Sequence, residues 1–250
     1  MTGPMQTAGL RLDQAPPLVI PMTFFATAPI AAFAAGALLT ATGATALTSN
    51  WMPQTLAVTH LGTLGFLAMV MMGALYQLTP VVAGSRVRGV RIAHAVHALL
   101  VLGLTGLVIG LLTYTNRVTF ASMAVLALAL LLFLPPVAVA LARAPTRGET
   151  VAGMRLALAN LFVAGFLGLW MAHGHIGMPF PGSRSLWVQV HLSVAFLGWV
   201  GGLISAVSWQ VLPMFYGATP DSEASRRVIL AGIALGVVLP VLNGWAMTSR

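Results

Sequence analysis

Six histidines, at positions 60, 94, 97, 173, 175 and 191, are the residues of this 250-residue chain best suited to chemistry. Neutral imidazole binds haem iron as an axial ligand, and sets of three bind copper or zinc. These histidines lie within or beside long apolar runs, where an ionisable group is by default a functional candidate. The chain has four acidic residues, none of them inside an apolar run, so a carboxylate-rich site for a hard cation is excluded. It has no cysteine, which removes thiolate ligation and disulfide frameworks alike.

Depth divides the histidines. His60 and His191 lie about 9 Å and about 6 Å into their runs, at a rise of 1.5 Å per residue. His173 ends another run on the same side, and His175 follows it. These four form an outer group, a candidate set for haem iron or for a three-imidazole copper or zinc site. His173 and His175 are two residues apart and diverge on a helix, so only one can point inward unless the chain unwinds at Gly174. His94 and His97 begin a run on the opposite side and share a face. That spacing suits a second cofactor, a proton relay or simple headgroup contact. Roughly 20 Å of helix rise separates the two groups, so they cannot share one metal. Arg184 precedes His191 on the outer side, where it could meet a haem propionate or anchor the interface beside Trp187.

The elements that must position these side chains are seven apolar runs, at about 18–46, 54–82, 90–113, 118–142, 151–173, 187–215 and 227–248. Each is near or above the roughly 20 residues a membrane helix needs. Apolar residues make up 58% of the chain and charged residues 6%, against about 25% charged in soluble domains. A soluble enzyme is excluded. The net charge of +8 comes from arginines placed between runs rather than on one patch, so nucleic acid is not the partner. The expectation is an all-α polytopic bundle of seven transmembrane helices forming one membrane domain in the lipid bilayer. Nine arginines fall on one side and three on the other. This predicts a multi-pass protein of the inner (cytoplasmic) membrane, N-terminus cytoplasmic and C-terminus outside. Arg11 before an apolar run and Ala32-Phe33-Ala34 imitate a cleaved leader, but the run continues to Leu47, so it is read as the first span.

An offset of 133 relates Leu64-Gly65-Phe66 and Tyr76-Gln77-Leu78-Thr79-Pro80 to Leu197-Gly198-Trp199 and Trp209-Gln210-Val211-Leu212-Pro213. It lays the first span on the fifth and the third on the seventh. The predicted arrangement is a four-helix unit, about 18–142, followed by three helices of a parallel repeat, about 151–248. Under this offset His60 falls on Ser193 and His191 on Val58. Two residues turn a regular helix by about 200°, so the imidazoles would occupy different faces unless a local bulge intervenes. Pro80 and Pro213 are read as helix ends, with Gln77 and Gln210 able to satisfy the carbonyls that proline frees. Gly62, Gly65, Gly73, Gly198, Gly201 and Gly202, like Gly103, Gly106 and Gly110, are read first as close-packing positions, although they would also admit a flat macrocycle. Met69, Met71 and Met72 are read as core.

The stretch from Thr59-His60-Leu61-Gly62 through Tyr76-Gln77-Leu78-Thr79-Pro80-Val81-Val82 resembles the second helix of small subunit-I-like proteins of the haem–copper oxidase superfamily. His191-Leu192-Ser193 through Gly198-Trp199 to Leu212-Pro213 resembles their later histidine-bearing helix, and the NnrS family, linked to nitric oxide stress, is a related comparison. About 50 residues carry the likeness. It implies that His60 is an axial ligand of a low-spin haem near the outer face, and it suggests a metal role for His191. The chain has fewer spans than those oxidases. It lacks their adjacent His-His pair, their His-Pro-Glu-Val-Tyr type motif and a third unit with its haem-ligating helix. A complete oxygen- or nitric-oxide-reducing centre is therefore not expected.

The sequence thus points to a membrane protein binding haem b, copper or both through His60 and His191, with His173 or His175 in support. Electron transfer, metal or haem handling, or a nitric oxide or respiratory stress response would follow, with a redox partner, a respiratory complex or a second copy as associates. The alternatives are a cofactor-free small transporter or channel and an assembly subunit of a respiratory complex.

Overall fold

The computed structural model of the chain describes residues 12–175 and 183–248, and it is helical wherever it is regular. Arg11 and Arg250, counted above for orientation, and the side chain of His175 lie outside the described residues. Seven stretches are long and apolar enough to cross a membrane, from Val19–Leu47 to Glu223–Asn243. Their bounds fall within a few residues of the predicted runs, because hydropathy and length alone define a span.

The first span is α1 (Val19–Thr42), closed by a 3₁₀ turn over Gly43–Leu47. Gly43 turns the chain at φ +55°, a conformation that favours glycine. The second span starts as α2 (Pro53–His60), with Pro53 at its first position, where the missing N–H has no helical partner to lose. It then loosens into a π-helix over Leu61–Ala68 and resumes as α3 (Met69–Val82). α4 (Ile92–Leu112) and α5 (Asn116–Ala142) are the third and fourth spans. The fifth is α6 (Glu149–His175). The sixth repeats the construction of the second: α7 (Arg184–Leu192), a π-helix over Ser193–Gly201, then α8 (Gly202–Tyr216). Gly217, at φ +60°, ends α8 in the left-handed conformation. α9 (Glu223–Thr248) is the seventh. Pro80 and Pro213 lie inside α3 and α8, two and three residues before these helices end, so each removes one of the last backbone hydrogen bonds of its helix. The Gln77 side-chain amide oxygen is buried without a partner.

In hydrocarbon, helices gain little from burying apolar surface and associate through close packing instead. The α4–α5 hairpin shows how: a Cβ on Gly103 would lie 2.7 Å from Leu126 Cγ, one on Gly110 2.5 Å from Thr119 Oγ1, and one on Gly106 against Ser122. Gly65 meets Ala31 and Leu104, Gly73 meets Phe24, and Gly198 meets Asn160. Packing, the first reading, holds at these positions, whereas Gly62 has nothing within 4 Å. Met69, Met71 and Met72 are buried in one core with Phe24, Tyr76 and Phe133.

The main neighbour relations among the first three spans recur among the fifth to seventh. α1 lies against the first π segment and α3, as α6 lies against the second and α8. α4 lies against α2 and the first π segment, as α9 lies against α7 and the second. The two π segments themselves coincide under the offset of 133 to within one residue. α5 leans on α6 and joins the two halves.

Candidate functional site

His60, on α2, and His191, on α7 against α6, lie on two different spans. His60 closes α2, immediately before the first π segment. Its Nδ1 donates to the Leu56 carbonyl at 2.7 Å. A carbonyl only accepts, so in the neutral ring the proton sits on Nδ1 and Nε2 presents its lone pair. A ring held this way by its second nitrogen is the usual state of a metal-ligating histidine.

His191 occupies the corresponding place on α7, one residue before its end and two before the second π segment. Its ring lies over Gly168 of α6, where a Cβ would come within 3.3 Å of His191 Cε1. The Ala164 carbonyl stands beside the ring, yet Nδ1 is buried without a hydrogen-bond partner. The two imidazoles lie within electrostatic range of each other. The offset of 133 still puts them on different faces of equivalent helices, because the two π segments coincide under it and begin after both histidines. Each histidine stands just before a π segment, and such segments recur at functional sites.

The other sequence-derived candidates are placed elsewhere. His173 donates from Nδ1 to the Leu169 carbonyl at 2.8 Å and sets its ring edge-on to Phe120 of α5, at 6.3 Å between centroids. It follows Gly168 by five residues, a turn of about 140° away from the face that meets His191. Among the described residues no group of three or more histidine, cysteine or acidic side chains is gathered for a metal. Arg184 donates to the Gly174 carbonyl at 2.6 Å and stands 5.6 Å from the ring centre of Trp51. It thus ties the outer end of α6 to the turn before α2, while Trp187 stacks edge-on with Trp170 at 4.8 Å. At the opposite end His94 is exposed. His97 turns inward, 2.8 Å from Thr27 Oγ1 and edge-on to Phe24.

Sequence reasoning missed Gly168, which seats His191, and Asn160, which is buried against Gly198 with its Nδ2 on the Leu156 carbonyl at 2.8 Å. A lone asparagine inside an apolar span was a usable signal for the second. Gly168, one glycine among 26, carried none.

The chain matches no protein-family model, no curated protein and no solved structure.

Proposed function

We propose that this protein is an integral membrane haem b protein whose ligands are His60 and His191, working in electron transfer, haem or metal handling, or a nitric oxide or respiratory stress response. One observation supports it above the others: two imidazoles on separate spans lie within electrostatic range of each other, one with its Nδ1 on the Leu56 carbonyl and one with a buried nitrogen that has no hydrogen-bond partner. A buried imidazole nitrogen without a partner costs free energy that a ligand bond removes. The lack of a side chain at Gly168 seats the His191 ring against α6. Bound haem supplies one-electron chemistry. The chain's part is to hold the rings: Leu56 fixes the tautomer of His60, and Gly168 sets the position of His191. Copper is the alternative occupant of the same pair, with a third ligand to be supplied. The proposed setting is the cytoplasmic membrane, with the arginine-rich end inside, the histidine pair near the outer face, and a redox partner or respiratory complex docking there.

The test is a visible spectrum of the detergent-purified protein, oxidised and dithionite-reduced, with metal analysis on the same sample. A Soret band and sharp reduced α and β bands, lost in His60→Ala and in His191→Ala, are the expected result. A colourless sample with stoichiometric copper, lost in the same variants, moves the pair to copper. A colourless, metal-free sample after expression with added haem and copper overturns the proposal.

A further inference from the structure

At the arginine-rich end the structure has a second feature, unrelated to the histidines. Pro135 and Pro136 fall inside α5, where they lack the N–H that would bond one turn back. Ala138 on α5 and Ala159 on α6 are small and exposed on the lipid-facing surface. Between them runs a groove of about 650 Å³, lined also by Leu134, Pro135 and Phe162 and ended by Arg155. That volume is within the usual range for a small-molecule cleft. The groove lies along the seam that joins the two halves.

Its charged end is fixed. Arg155 donates through Nε and Nη2 to the Leu141 carbonyl, at 3.1 Å and 2.7 Å. That oxygen, at the end of α5, also accepts from the Ala144 N–H at 3.3 Å. The guanidinium therefore bridges α6 to the end of α5 at the mouth of the groove. Arg143 and Arg147, both exposed, follow on the loop to α6. Glu149, the acidic residue nearest in sequence, is engaged by Arg227 at 2.8 Å and does not offset the three cations.

We propose that the α5–α6 seam is a binding site for one anionic phospholipid, its acyl chain in the groove and its phosphate on Arg155, Arg143 and Arg147. An apolar channel with cations at one end, set at the depth where a span meets the headgroups, matches a lipid end to end. Basic positions between membrane helices attract anionic headgroups in this way. The zwitterionic lipids around the rest of the bundle have no net charge to answer the three arginines.

The full-length protein is reconstituted in phosphatidylcholine bilayers with spin-labelled phosphatidylglycerol, and the immobilised fraction gives the relative association constant. The expected result is preference for phosphatidylglycerol over spin-labelled phosphatidylcholine, falling about fivefold in Arg155→Gln. Because Arg155→Gln also takes two donors from the Leu141 carbonyl and can disturb the fold, Ala138→Phe fills the groove with every charge retained, and the same loss is expected. Arg88→Gln, on the same end but outside the seam, is expected to leave the preference unchanged. An equal loss in Arg88→Gln, or none in Ala138→Phe, reduces the effect to diffuse attraction and overturns the site. Displacement of the label by millimolar inorganic phosphate shows a phosphate site rather than a lipid site and also overturns it. The haem spectrum is untouched by these variants, so this inference and the haem reading fail separately.

Discussion

Replacing His191 by leucine separates two roles of one side chain. In the cofactor-free protein its Nδ1 is buried and unpartnered, a state that costs about 1–3 kcal/mol. Leucine removes that cost. It also removes whatever the ring gains from the Ala164 carbonyl beside it, about 0.5–1.5 kcal/mol for an ordinary hydrogen bond. Leucine is apolar, and Gly168 leaves its branches the space that Cε1 occupied. The two terms leave His191→Leu neutral to about 2 kcal/mol more stable without cofactor. With haem present the sign reverses, since a ligand at 100 times its dissociation constant stabilises the wild type by about 2.7 kcal/mol and the variant by none. The assay is reversible unfolding in mixed micelles by added dodecyl sulfate, run on apo and haem-loaded samples of both proteins. If His191→Leu destabilises the apoprotein by more than about 2 kcal/mol, the nitrogen has a partner in the protein and the orphan argument is wrong. If haem stabilises both proteins equally, His191 is not a ligand.

Further outcomes follow from other contacts. Gly103→Leu, whose Cβ would lie 2.7 Å from Leu126, is expected to destabilise the α4–α5 hairpin by about 1–3 kcal/mol in the same unfolding assay. Gly36→Leu, with nothing within 4 Å, is its neutral control. Thr27→Val takes a hydroxyl from His97 Nε2 and is expected to cost about 1 kcal/mol while leaving the visible spectrum of the outer pair unchanged. A spectral shift there would mean that His97 belongs to the chromophore. Glu149→Gln breaks a solvent-exposed pair with Arg227, and the unfolding midpoint is expected to stay where it is, since such pairs contribute little. Arg184→Ala loses the Gly174 carbonyl and the Trp51 ring together. Quenching of tryptophan fluorescence by an aqueous quencher is expected to rise.

The seven spans were legible because each is a simple sum of side-chain transfer energies over a fixed length. The close-packing glycines were legible for a similar reason: small residues at intervals along an apolar run have few other uses. The approach of His60 and His191 was not. The offset leaves them on different faces of equivalent helices, and which spans become neighbours is set by packing between helices, which no single run states. The π segments were not legible either. A π-helix changes the hydrogen-bond partner rather than the composition, so nothing in Leu61–Ala68 or Ser193–Gly201 marks it residue by residue. His173 illustrates the same limit on a smaller scale. Its place at the end of the fifth run suggested membership of the outer group, but its ring direction is set by a bond to its own helix and by Phe120 of α5.

The spans that carry His60 and His191 are also the longest of the seven among the described residues, 30 and 33 residues against 21 to 29 for the others. At α-helical rise they measure about 45–50 Å, while the hydrocarbon layer is about 30 Å thick. Tilt absorbs part of such an excess. The remainder reaches past the hydrocarbon, so the ends of these two spans are set among headgroups and water, where polar side chains and open backbone groups find partners without cost to the bundle.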